Sequence, residues 1–222
     1  YKSWETIISC FELLMFSLLA VCIVIAPVFS GEYQAGTDAV ILSAKYGKTK
    51  LTTAKIVASY LFGFAAFTLH IIVAFGLPLV AFGVDGWNLP LQINGTTVPY
   101  PLTFLQGTLV NLGVIYLVLF ALISLTLLLS AKMKSPYLVL IVLVPVLFIP
   151  LFVSPNGTTG LYNLILFLLP YHSTVPQFGQ YISYQFGSLV LDIFSVRAIL
   201  YATLTVIMLP LAKRFFKQHQ VA

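Results

Sequence analysis

Between Leu105 and Ser130 the chain carries no charged residue. A helix needs roughly 20 apolar residues to cross about 30 Å of hydrocarbon, so this run suits a lipid interior better than a soluble core. Four other apolar runs accompany it. Ile7–Phe29 is interrupted only by Glu12, and Ile56–Phe82 has His70 inside it. Tyr137–Val153 is short and contains Pro145 and Pro150. Val196–Ala212 is also short, but the apolar run Phe186–Ile193 precedes it. Leu161–Leu169 is apolar yet too brief to cross, and reads as a re-entrant or interfacial helix. Composition agrees: 8% of residues are charged, against about 25% in soluble domains, and mean hydropathy is +1.03. The expected class is an all-α polytopic membrane protein. Five spans, about 7–29, 56–82, 105–130, 137–153 and 196–212, form one domain over 1–222.

Charge orients the spans. Lysine and arginine collect in cytoplasmic loops. Nine of the eleven cations fall on one side: Lys45, Lys48, Lys50, Lys55, Lys132, Lys134, Lys213, Arg214 and Lys217. Lys2 and Arg197 fall on the other, with the outer loops Gly83–Phe104 and Ser154–Ser195. Trp4, Trp87, Tyr100, Tyr162 and Tyr171 lie on that outer side, as interfacial anchors do. The first residue is Tyr1, with no basic n-region and no small-residue cleavage site, so Ile7–Phe29 is not read as a signal peptide. Further sequence is expected upstream. Cys10 and Cys22 share the first span and read as small buried apolar residues.

The segment 31–55 is the long polar stretch on the cytoplasmic side. Thr37 suits an N-cap, and Asp38 puts a negative charge at the positive end of a helix. Asp38–Tyr46 then reads as a short helix with Val40, Ile41, Leu42 and Ala44, and Gly47 stands where a left-handed C-terminal residue belongs. A short helix with apolar residues, hung between two spans, fits a partner's groove. In the simpler alternative the four lysines only fix topology.

Glu32, Gly36-Thr37, Ile41-Leu42-Ser43, the basic cluster and Lys55 leading into a span resemble the first cytoplasmic loop of type-2 ABC exporter permeases. The resemblance implies that Asp38–Tyr46 is a coupling helix docking on a separate ATP-binding subunit, with Glu32, Gly36, Thr37, Asp38, Ile41, Leu42, Lys45 and Lys48 as contact residues. It implies six spans per permease, the first lying upstream of Tyr1, and pairing with a second permease chain as a homo- or heterodimer. ATP and Mg would be bound by the partner, with no cofactor in this chain. The place is a bacterial plasma membrane. The basic cluster here is lysine where the family often has arginine, which weakens any bidentate ion pair.

Glu12 and His70 are the ionisable groups inside spans, and such groups mark functional paths by default. They read either as a polar patch on a substrate path or as a snorkelling carboxylate and a carbonyl-bonded imidazole. Asn94-Gly-Thr-Thr and Asn156-Gly-Thr-Thr fit a glycosylation pattern, but Asn-Gly also makes tight turns. There is no P-loop, no metal-ligand cluster and no Ser-His-Asp grouping on one membrane face, so an intramembrane enzyme is disfavoured. The basic balance, pI about 9.2, suits anionic lipid rather than nucleic acid. The reading is a permease subunit exporting an amphipathic peptide, lipid or drug-like substrate. The alternative is an importer's binding subunit or a non-transport membrane scaffold. Orientation is tested with single cysteines: in intact cells a membrane-impermeant thiol reagent should label a cysteine at Asn94 and spare those at Lys48 and Lys134.

Overall fold

A computed structural model of the chain describes residues 1–37, 40, 47–95 and 98–218. The docking helix expected over Asp38–Tyr46, with Asp38, Ile41, Leu42 and Lys45, lies outside the described residues. Of the described residues 76% are helical. Among the described residues four helical segments are long and apolar enough to cross a membrane: Lys2–Ala35, Thr49–Phe82, Phe104–Lys132 and Ile193–Phe216.

The first segment is built from α1 (Lys2–Cys10), a 3-10 turn Phe11–Leu13, α2 (Leu14–Ile25) and α3 (Pro27–Ala35). It exceeds the expected 7–29, because apolarity marks the hydrocarbon thickness while the helix continues into polar residues at both ends. Pro27 has no N–H to give, and it marks the start of α3. A wide turn Gly47–Leu51 leads into α4 (Thr52–Phe82). Gly47 opens this turn, and the residues before it that it is expected to cap lie outside the described residues.

The central helix is α5 (Phe104–Lys132), started by a reciprocal capping box of Thr103 and Gln106. The other helices pack around it. Next comes α6 (Pro136–Phe152), 17 residues with Ser135 as cap. At 1.5 Å per residue it reaches about 25 Å, short of the ~30 Å layer. Two short helices come after it, α7 (Leu161–Phe167) and α8 (Pro170–Thr174). The first lies within Leu161–Leu169, where a re-entrant or interfacial helix is expected.

The all-α expectation is corrected at 183–192, where β1 (Ser183–Phe186) and β2 (Leu189–Asp192) pair antiparallel. Gly187, at φ +63°, opens the two-residue turn. The apolar run Phe186–Ile193 is thus half hairpin, not a lead-in to the last span. That span, α9 (Ile193–Gln218), starts at once because the Asp192 carboxylate accepts the Phe194 N–H at 3.1 Å and the Ser195 hydroxyl. It is longer than the expected 196–212.

Both ends of the bundle are tied. Lys213 Nζ donates to Thr53 Oγ1 at 3.0 Å and the Tyr33 hydroxyl to the Ala131 carbonyl at 3.1 Å. Lys132 stands over the Phe215 ring, 5.0 Å from its centroid. So the ends the charge count assigns to one side do gather at one end. At the opposite end Trp4 Nε1 donates to the Val84 carbonyl at 3.0 Å.

Between the ends, α4 is held by one stripe: Ile56, Ser59, Gly63, Phe67 and Ile71, spaced by three or four residues. Pro78 is buried too and Phe75 and Leu79 are half-buried, but much of the remaining apolar surface, Leu69, Ile72 and Val80 among it, is exposed. Hydroxyls join it to α5, Tyr60 to Ser124 and Thr68 to Tyr116 at 2.7 Å. Gly63 sits where α2, α4 and α5 meet. A Cβ there would stand 2.5 Å from Ile123 Cδ1 and 3.1 Å from Val21 Cγ1. Overpacking of this kind costs about 1–3 kcal/mol. Gly63→Val should lower the thermal midpoint of the detergent-solubilised chain correspondingly, and Ile123→Ala in the same chain should restore part of it. An unchanged midpoint would mean the three helices are not pressed together there.

Candidate functional site

At the lysine-rich end α3 finishes in a Schellman motif. Gly36 is left-handed at φ +65°, its N–H bonds the Tyr33 carbonyl, and the Thr37 N–H bonds the Glu32 carbonyl at 3.0 Å. Gly36 and Thr37 are exposed. Thr37, expected to cap a helix on its C-terminal side, here closes the helix before it. The helix stops because only glycine takes this backbone turn without steric cost.

Lys55 reaches back from the first turns of α4 to α3. Its ammonium pairs with the Glu32 carboxylate, donates to the Val28 carbonyl at 2.9 Å and lies 5.7 Å from the Phe29 ring centroid. The side chains are 22% and 15% exposed, lysine first. The pair therefore joins the two stretches of chain that flank residues 38–46. Glu32, expected as a contact for a partner, has one oxygen committed to Lys55, while its other oxygen is buried with no hydrogen bond among the described residues. Lys48 lies in the Gly47–Leu51 turn. Beside it an open groove of about 830 Å³ runs between α4 and the end of α9, lined by Thr53, Val57, Leu61 and Lys213 among others.

The orientation of α3 depends on α5. Ser130 Oγ accepts the Phe29 and Ser30 N–H groups, each at 3.0 Å, and donates to the Ala26 carbonyl at 2.6 Å. A hydroxyl from another helix thus does what an N-cap side chain does within one.

Glu12 and His70 lie on different elements, the 3-10 turn Phe11–Leu13 and α4. Glu12 is exposed in the 3-10 turn and lies within electrostatic reach of Tyr171, whose phenol is pushed up by burial first and by that carboxylate second. His70 is exposed on α4. Among the described residues no hydrogen bond or ion pair joins the two.

The opposite end holds a cluster that the charge count passes over. Arg197 is counted there as an outer-side cation at the start of the last span; it lies within α9 and is 0% exposed. Its Nε and Nη2 donate to the Phe167 carbonyl at 3.1 and 2.8 Å, and Nη2 also to the His172 carbonyl at 2.7 Å. Nη1 has no partner among the described residues. The Tyr201 hydroxyl donates to the Leu168 carbonyl at 2.7 Å, and the Tyr184 hydroxyl to the Leu164 carbonyl at 2.8 Å. Asn111 Nδ2 donates to the Thr174 carbonyl at 3.1 Å. The segment α7–α8 is therefore held through its carbonyls. Backbone carbonyls are alike in every residue, so no sequence signal marks them as acceptors.

His172 ties this segment to α6, its Nε2–H donating to the Val153 carbonyl at 3.1 Å. Burial lowers its pKa from 6.5; the Val153 bond opposes that, and Arg197 adds to it. The unfolded chain therefore binds a proton more readily than the folded one. Stability is full above the ordinary value and falls as pH drops from about 6.5 through the folded value. His172→Gln keeps a donor but does not titrate. Its melting midpoint should change less between pH ~8 and ~5 than that of the parent chain. Equal slopes for the two would remove His172 as the cause.

Compared with known proteins, the chain matches no family model, no curated protein and no solved structure.

Proposed function

We propose that this chain is the transmembrane permease subunit of an ATP-binding cassette exporter, moving an amphipathic substrate across a bacterial plasma membrane. The observation that carries the reading is the Glu32–Lys55 pair. It joins the end of the first long segment to the start of the second, so that the two roots of the 38–46 loop are tied together. A loop with both roots tied transmits a push to two spans at once. The lysine-rich end around it carries the groove beside Lys213.

In this reading Asp38–Tyr46 is a helix that docks on a separate ATP-binding subunit, which holds ATP and Mg. Ile41 and Leu42 enter the partner's groove, and Lys45 and Lys48 stand at its rim. The chain contributes five of six spans, with α6 crossing despite its length. The exposed apolar faces of α4 and α9 meet lipid and a second permease chain.

Truncating an apolar anchor at an interface centre costs about 2 kcal/mol or more, whereas rim charges cost little. Leu42→Ala and Ile41→Asp should therefore release the ATP-binding subunit in a pull-down or uncouple hydrolysis from transport. Lys45→Ala should be mild. If both apolar variants keep the partner and full coupling, the docking role is wrong and the lysines serve topology alone.

A further inference from the structure

The central helix α5 packs against both α6 and α9, which scarcely touch one another. The gap is a slot of about 340 Å³. Ala121 and Leu125 form its back wall, Val146 one side, Leu204 and Met208 the other, and Leu168 its roof. Tyr201 is the one polar side chain on it, and its hydroxyl is already engaged by the Leu168 carbonyl and Ser173 Oγ. A buried water needs two to four polar partners, and the walls offer none free. The roof is fixed, because Arg197 holds the Phe167 carbonyl and Tyr201 the next one.

The slot runs along α9 from Leu200 to Met208. At 1.5 Å per residue that is about 12 Å, close to half of the ~30 Å hydrocarbon layer. Its length thus matches one leaflet, closed at the interfacial end by α7 and α8. We propose that this slot holds a single acyl chain of a membrane phospholipid from the leaflet at the Arg197 end. With no charged side chain on its walls, it selects the alkyl chain and not the headgroup. The inference rests on the membrane-spanning reading of the helices, and not on the transporter reading.

The test uses the full chain, reconstituted separately in phosphatidylcholine and in phosphatidylglycerol vesicles, extracted in mild detergent and weighed by native mass spectrometry. The parent chain should retain one phospholipid from either preparation. Ala121→Leu fills the slot from behind, and Leu204→Phe fills it from a partly exposed wall. Each should lower the retained fraction about tenfold, the loss expected when two methylenes are displaced. Leu69→Phe, on the exposed face of α4 and away from both groove and slot, should change nothing. If Ala121→Leu does not fold, Leu204→Phe decides. Equal retention by the parent and the slot variants, or retention of one headgroup only, would overturn the proposal. So would recovery of the chain in the soluble fraction, which removes its premise. Loss of ATPase binding or of transport would bear on the exporter reading and leave this one standing.

Discussion

Away from water, every backbone N–H and C=O must be answered from within the chain. That constraint organises this structure wherever a helix is broken or a loop is tucked in. At Pro27 the helical ladder is interrupted, and Ser130 restores it from α5 with its one proton and both lone pairs in use. A methyl group at that position would strand the Phe29 and Ser30 N–H groups together, leaving the Ala26 carbonyl to the Ser30 hydroxyl alone. The direction of α3, and so the first root of the 38–46 loop, is set by a side chain some hundred residues away.

The two ends of the bundle solve the charge problem differently. At the lysine-rich end, Lys55 and Glu32 form an ordinary ion pair, partly exposed and supported by a carbonyl and an aromatic ring. At the other end, Arg197 is wholly buried and bonded to carbonyls alone. A buried charge is expensive. Part of the cost is offset because the Phe167 carbonyl closes the C-terminal end of α7, where the backbone dipoles point their negative ends. The guanidinium fork suits this task better than an ammonium, since its planar donors reach two carbonyls at once.

The long apolar elements were legible because a run such as Leu105–Ser130 has only one way to satisfy itself in lipid. Their ends were not, since hydropathy reports the thickness of an apolar layer, and helices such as Lys2–Ala35 continue past it. The hairpin escaped notice because Gly187-Ser188 is a weak turn signal inside an apolar stretch, and the Asp192 cap sat at the end of that same stretch. Glu12 and His70 stand out in the sequence as polar interruptions of apolar runs, which says nothing about which way each helix is rotated. The Glu32–Lys55 pair joins two residues that pattern had picked out separately. It needed the chain to return on itself before they met. Arg197 was visible as a charge and hidden as a structural centre, because what it binds is main chain.

The Arg197 bonds also have a direction in time. Its acceptors, Phe167 and His172, precede it by 30 and 25 residues. At synthesis rates of 5–20 residues per second they emerge roughly 1–6 s earlier. The charge therefore never has to wait in an apolar setting for partners still to be made. A circularly permuted chain that placed α9 ahead of α7 would reverse that order. The same folded contacts would then have to be reached through an intermediate in which the guanidinium is buried alone or left at the surface, with the last helix unable to seat until the acceptors arrive.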